Sequence, residues 1–232
     1  MKKTLYLFSV ILFVVFISCA LQAQERLWFK GNTHCHTVNS DGDEFQRRVV
    51  RWYRDHNYNF LVITDHNYLT KIEYLDTDTA DDFILIQGEE VTDSFEGHPI
   101  HINAINIKVM IEPQHGKDKI STLQNNINAV MAAGGIPQIN HPNWRYAFND
   151  EEMSQLNNIR LFELFNLSYN CNNFSAGGAP GMEEIWDRLL SRGKLFYGLA
   201  SDDAHDYAGE FSPKKANPGT GWIMVKAKKL TP

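Results

Sequence analysis

Two histidines bracket a cysteine in GNTHCHTVNSDGDE, residues 31–44, directly after the apolar run Leu27-Trp28-Phe29. On an extended strand, residues i and i+2 point the same way, about 6–7 Å apart along the chain. His34 and His36 therefore present two imidazoles on one face, which can chelate a metal ion or simply hydrogen-bond as a pair. Cys35 alternates to the opposite face and reads as a small buried hydrophobe. Groups of the same chemistry recur downstream: Asp65-His66-Asn67 in ITDHN, Glu89-Glu90 in QGEEVT, His98 and His101 in GHPIHINA, His141 in INHPNW, and Asp202, Asp203 and His205 in ASDDAHD. Each alone has an ordinary explanation, such as a helix cap, a solvated acid or an exposed loop histidine. Gathered at buried strand ends, such groups are costly unless paired or metal-bound. Imidazoles and carboxylates with few thiols suit zinc, manganese or iron rather than calcium. The acids are too many for one tetrahedral zinc, which points to two or three ions sharing a bridging carboxylate.

The elements that must carry these groups alternate along the chain. Strand-like runs are RLWFKGNTHCH, NFLVITDH, DFILIQGEEV, PIHINAIN, GIPQINHP, IRLFELFN, KLFYGLASDD and GWIMVKA. Helical spacing between them groups Phe45, Val49 and Trp52, then Ile120, Leu123, Ile127 and Val130, then Met182, Ile185, Trp186 and Leu189. Gly134-Gly135 and Gly193 stop the last two helices. Alternation of this kind argues an α/β layout with a mainly parallel sheet, open or closed into a barrel. The polar residues sit at or just past the C-terminal ends of apolar strands, the active-site face of such sheets.

The 232-residue chain is 43% hydrophobic and 22% charged, ordinary for a globular protein and enough for one sizeable domain. Its N-terminus differs: MKK, then the apolar run TLYLFSVILFVVFIS, then CALQAQ, which reads as a secretory signal peptide over residues 1–23, cleaved after Ala23. Two other readings stay open, a lipoprotein anchored through Cys19 and an uncleaved anchor. The expected location is periplasmic or secreted, with membrane contact only through a lipid on Cys19. Loss of Lys2 and Lys3 with the signal takes the formal charge from −6 to −8, which disfavours nucleic acid as a partner. Only Cys35 and Cys171 then remain; they can pair in an oxidising compartment, but two cysteines make no disulfide framework.

The ordered set HCHTVNSDG, ITDHN, GEE, HIN, INHP and SDDAH resembles the PHP (polymerase and histidinol phosphatase) family of metal-dependent phosphoesterases, from about Leu27 to the C-terminus. The resemblance implies an α/β fold, a distorted (β/α)7 barrel over residues 24–232, with two or three divalent transition metals (zinc, manganese or iron) at the C-terminal ends of the strands. LFELFN suggests the CehA/McbA-like metallohydrolase branch. By resemblance, His34, His36, Glu90 and Asp203 hold one metal. Glu90 bridges to a second held by His101 and His141. Asp41, His66 and His205 hold a third, with Asp41 and His205 as possible assistants in catalysis. The family patterns G-x-E and D-x-H select Glu90 over Glu89 and Asp203 over Asp202; His101 is preferred to His98. Relatives continue with a further helix where this chain ends in VKAKKLTP, which reads either as a C-terminally incomplete domain or as a barrel that closes unusually.

The implied activity is hydrolysis of a small phosphate ester by a metal-activated water, with no covalent enzyme intermediate. A carboxylic or carbamic ester or amide hydrolase using the same site, and a non-catalytic metal-binding module, are the alternatives. Candidate contacts to a small anionic substrate are Arg145, just after His141, with Asn67 and Asn166; Tyr169 and Asn170 are placed near the pocket. Glu163 is either a partner of the metal ligands or a salt-bridged core acid, and His56 and His115 read as solvated.

Overall fold

Each of the eight apolar runs forms a strand in a computed structural model that describes residues 26–75 and 82–232. The signal peptide, its cleavage site and Cys19 lie outside the described residues. The strands are β1 (Leu27–Asn32), β2 (Phe60–Ile63), β3 (Ile84–Phe95), β4 (His98–Ile105), β5 (Ile136–Ile139), β6 (Leu161–Asn166), β7 (Tyr197–Ser201) and β8 (Ile223–Ala227). They join in one sheet of order β7-β6-β5-β4-β3-β2-β1-β8. Helices α1 (Gln46–Asp55), α2 (Lys119–Ala132), α3 (Asp150–Ser154) and α4 (Met182–Ser191) lie between them in the chain. No described helix is long and apolar enough to cross a membrane.

The sheet is mixed where the sequence suggested mainly parallel. β1/β2, β2/β3, β5/β6 and β6/β7 are parallel, but β4 runs antiparallel to both neighbours and β8 antiparallel to β1. The cause of the first reversal is local. Glu96 and Gly97 both have positive φ, 48° and 81°, and fold β3 directly back into β4. Two consecutive left-handed residues match the twist of a tight hairpin.

Closure into a distorted barrel happens at the rim. β8 flanks β1 from Leu27 to Gly31. Beyond it, Cys35 bridges in parallel to Ala204, His36 N–H donates to the Ala204 carbonyl at 2.9 Å, and Asp203 N–H donates to the His34 carbonyl at 3.1 Å. The extension of β7 thus lies directly beside that of β1, drawing residues 34–36 and 203–205 to one place.

Two apolar clusters hold this frame. Leu123, Ile127 and Val130 of α2 and Met182, Ile185 and Leu189 of α4 are buried in the larger, with Ile120 and Trp186 packed at its edge, as the helical spacing indicates. The smaller contains Cys35, Val49, Val50 and Tyr53. Here the expected face of α1 is rotated: Val50 and Tyr53 turn inward, Trp52 is half-buried, and Phe45, just before the helix, is exposed. Tyr53 turns inward because its hydroxyl has buried polar partners. It accepts from Asn32 Nδ2 at 2.9 Å and donates to Asp202 Oδ2 at 2.9 Å, tying α1 to β1 and to the end of β7. Tyr53→Phe is therefore expected to destabilise the protein by about 1–3 kcal/mol through orphaned buried partners, read as a lower urea midpoint with an unchanged slope.

Candidate metal centre

The candidate ligands come from seven places on the rim. His34 and His36 lie just past β1, Asp41 on the following loop, His66 past β2, and Glu90 in β3 just beyond its parallel register with β2. His141 follows β5, and Asp203 and His205 follow β7. His101 departs from the rule: it comes from within β4, whose reversed direction brings its N-terminal half to the rim, opposite Thr92. His98 is exposed at the start of that strand.

All nine side chains meet in one cluster. His34 Nε2, His36 Nε2, Glu90 Oε2 and Asp203 Oδ1 face one another: both imidazole nitrogens lie 3.1 Å from Asp203 Oδ1, and 3.2 and 3.3 Å respectively from Glu90 Oε2. On the other side of the same carboxylate, His101 Nδ1 and His141 Nε2 lie 3.0 and 3.4 Å from Glu90 Oε1. Toward solvent, Asp41 lies 3.3 Å from His205 Nε2, 3.5 Å from His36 Nδ1 and 3.6 Å from His66 Nε2. His66 spans two of these groups, because its Nδ1 is also 3.0 Å from Glu90 Oε2. Four overlapping groups, His36/Asp41/His66/His205, His34/His141/Asp203, His34/His36/Glu90 and His66/Glu90/His101, each bring their candidate ligand atoms within 4.8 Å of one another. Glu90 and Asp203, not Glu89 and Asp202, reach the cluster. Glu89 turns away and accepts from Ile111 N–H, while Asp202 accepts from Tyr53, Thr220 and Gly221.

Does this donor set fit cations? Glu90 Oε2 answers most directly. It is fully buried and accepts no hydrogen bond, although three imidazole nitrogens stand within 3.3 Å. Donors that close but not aimed at the oxygen surround a common point with it. An unsatisfied buried carboxylate oxygen costs several kcal/mol or more (about 1–3 for a neutral group,) unless a cation sits there. The electrostatics agree. Burial alone would push His34 down, but the Asp203, Glu163 and Glu90 carboxylates outweigh it and hold its pKa well above the usual range. Partial burial would push the half-buried His205 down, yet its hydrogen bond to Asp41 and the charge of Asp203 push it up to about 9. Burial would raise Glu90, and His66, His34 and His101 instead hold it well below the usual carboxylate range. The cluster carries more negative charge than neutral imidazoles can balance, and divalent ions would satisfy it with nitrogen and oxygen donors alone.

Neighbouring residues fix these groups through contacts between segments distant in the chain. Glu163, buried, lies 2.6 Å from His34 Nδ1 and accepts from His141 N–H at 2.8 Å. It thus pairs with two of the candidate ligands, His34 through its ring and His141 through its backbone. Asn140 Nδ2 donates to Glu90 Oε1 at 2.8 Å. Asp65 accepts from Thr37 N–H at 2.7 Å and Ser40 Oγ at 2.9 Å, anchoring the loop that bears Asp41. That loop approaches the strand so closely that a Cβ at Gly42 would meet the His36 carbonyl at 2.7 Å. His141 and Asp203 both have left-handed backbones, φ 26° and 47°, conformations that cost energy in non-glycine residues and gather at functional sites.

Two of the expected substrate contacts are otherwise engaged. Asn166 is buried, donating to Glu163 and Asp203 and accepting from Ser168 N–H. Asn67 exchanges both its amide groups with the Thr92 backbone. Short-range polarity in the sequence does not show which polar atoms the fold consumes. Arg145 lies outside the cavity over the cluster. That cavity, of about 290 Å³, is framed by Trp144, Ser168, Tyr169 and Asn170, the last two where the sequence placed them. Cys35 and Cys171 are both free buried thiols. Burial and the Asp203 charge push the Cys171 thiol up, so it is protonated and a poor nucleophile.

The architecture has counterparts among solved structures. A two-domain protein from Bacteroides vulgatus, described as containing a predicted PHP-like metal-dependent phosphoesterase, superposes with a TM-score of 0.57 at 19% identity over 89% of this chain. The fold is PHP-like. The chain spans 60% of that protein's length. A candidate metal-dependent phosphoesterase from Bifidobacterium adolescentis matches over 82% of this chain and 91% of its own, with a TM-score of 0.56 at 17% identity. An amidohydrolase from Chromobacterium violaceum, solved with bound sulfate and no metal, matches over 81% of this chain and 93% of its own, with a TM-score of 0.55 at 14% identity. No family model and no curated protein matches the chain. The neighbours support the PHP-like fold and do not bear on the CehA/McbA-like branch suggested by LFELFN.

Proposed function

We propose that this chain is a metal-dependent phosphoesterase acting on a small phosphate ester. The observation that carries the reading is the buried Glu90 carboxylate, one oxygen beside His34, His36 and His66 and the other beside His101 and His141. In the proposed assignment His34, His36, Glu90 and Asp203 hold one ion, Glu90, His101 and His141 a second, and Asp41, His66 and His205 a third. Divalent ions there would supply an activated water and charge compensation for a phosphoryl group.

The chain's own residues do the rest. Glu163 and Asn140 fix the orientation of His34 and Glu90. Trp144, edge-on to His101 and His141 at 5.4 and 5.2 Å, walls the inner cavity against bulk water. Asp41 and His205 stand at the solvent side, where a proton can pass to a leaving oxygen. The small cavity favours a small substrate, and attraction for an anion must come from bound ions, because the chain itself is acidic. We further propose export, supported by the MKK-led apolar segment.

Elemental analysis of the purified protein, joined to a hydrolysis screen, tests the reading. About two to three transition-metal ions per chain are expected, with phosphoesterase activity lost on chelation and restored by manganese or zinc. Because the PHP-like fold also houses a protein described as an amidohydrolase, the screen includes carboxylic esters, carbamates and amides. Turnover of those alone would favour the second chemistry, and full activity in metal-free protein would refute both.

A further inference from the structure

Beside the metal cluster lies a second cavity of about 480 Å³, sharing His101 and Trp144 with the first and extended by His115, Pro113 and Arg145. Outside the shared wall its basic side chains are Arg145 and His115, both exposed. The Arg145 guanidinium lies over the Trp144 ring, 5.0 Å from the centroid, on a left-handed backbone of φ 53° and ψ 22°. Such strained backbone persists where the surroundings enforce it. Among the described residues Arg145 makes no ion pair or hydrogen bond, so its planar fork is available for a carboxylate or phosphate. His115 is exposed, and its Nδ1 lies 2.8 Å from Asp93 Oδ1, so Nε2 is a donor to an anion in the imidazolium form of the ring. Asp93 is the lone carboxylate among the lining residues described. Its oxygens accept from Ser94 N–H and Asn126 Nδ2 and face His115 Nδ1, so its charge is offset when His115 is protonated and the Arg145 guanidinium is the unpaired charge of the cavity.

We propose that Arg145 and His115 form a subsite for a second anionic group, a carboxylate or phosphate, on the part of the substrate that leaves. This rests on the phosphoesterase reading and names a substrate class within it: phosphate esters whose alcohol portion carries its own negative charge. Arg145 thus does not grip the scissile phosphate but reads the far end of the molecule, with His101 and Trp144 as the shared wall between the two sites.

Steady-state kinetics on manganese-loaded protein test the subsite with phenyl phosphate, the three carboxyphenyl phosphate isomers and the phenylene bisphosphates. At least one charged isomer should have a KM about five- to tenfold below that of phenyl phosphate, as expected for a charge-assisted contact. Arg145→Gln should bring that KM ratio close to one, and His115→Gln should reduce it in part. The carboxylate and bisphosphate arms show which anion is preferred. Absence of any preference in the parent protein, or a ratio unmoved by Arg145→Gln, overturns the subsite. If no phosphate ester is hydrolysed, the phosphoesterase reading fails instead. Calorimetric titration with the same carboxyphenyl phosphates then decides the subsite alone: weaker binding to Arg145→Gln by the same factor supports it, and equal binding overturns it.

Discussion

Glu90→Gln should reduce the bound metal from the proposed two or three ions to one at most and lower hydrolysis by about a thousandfold, equivalent to several kcal/mol of lost charge stabilisation. The substitution keeps shape and removes charge. The amide oxygen can still accept from Asn140, which donates to Glu90 at 2.8 Å, so the local fold has a route to persist. The anionic centre that five imidazoles surround is gone, and an amide is a poor bridging ligand between cations. The direction follows from the burial: with Glu90 fully inaccessible and one oxygen accepting no hydrogen bond, solvent cannot substitute for the lost charge. Metal analysis after gel filtration, with kcat/KM on the same sample and circular dichroism to check folding, gives the answer. A folded Glu90→Gln protein with full metal content and parental turnover would mean that Glu90 does not bridge.

The residues that meet at the cluster were legible because metal-ligating side chains are chemically distinctive and strand ends impose a common address on them. His34 with His36 needed only the two-residue period of a strand. Choosing Glu90 over its neighbour, and Asp203 over Asp202, needed the resemblance, since either member of each acidic pair could face inward. Less was legible where the answer depends on long-range pairing. β4 reads as an apolar strand in either direction, and its reversal is announced only by Glu96-Gly97 in the turn. The inward face of α1 went to Tyr53 rather than Trp52 because of a hydrogen bond to Asp202, 149 residues away. Asn67, Asn166 and Asp65 all look like free polar groups in the sequence. In the fold their polar atoms are occupied by Thr92, by Glu163 and Asp203, and by the loop carrying Asp41. Such supporting roles are set by partners distant in the chain, and no local pattern encodes them.

Glu163→Gln tests the most consequential of those supports. In the folded protein one carboxylate serves five groups: His34 Nδ1, Ser201 Oγ and Gln138 Nε2 at Oε1, and His141 N–H and Asn166 Nδ2 at Oε2. A glutamine offers one acceptor and one donor, so whichever way the amide turns, its NH2 faces a site built for an acceptor. Turned toward His34, it favours the wrong tautomer and removes the charge that makes Nε2 a better ligand. Turned toward residues 141 and 166, it opposes two N–H donors and disturbs His141, already at a left-handed φ of 26°. Metal affinity is expected to fall about 10- to 100-fold, the usual cost of removing the hydrogen-bond partner of a ligating histidine, with the loss concentrated in the ions assigned to His34 and His141. Competition against a chelator of known affinity measures it, and urea unfolding of the metal-free proteins separates it from a general loss of stability. If both metal-free proteins unfold alike and only affinity drops, Glu163 acts through the ligands it orients. If affinity is unchanged while stability falls, the buried acid serves the core, and the convergence of β5, β6 and β7 behind His34 has a structural rather than a functional cause.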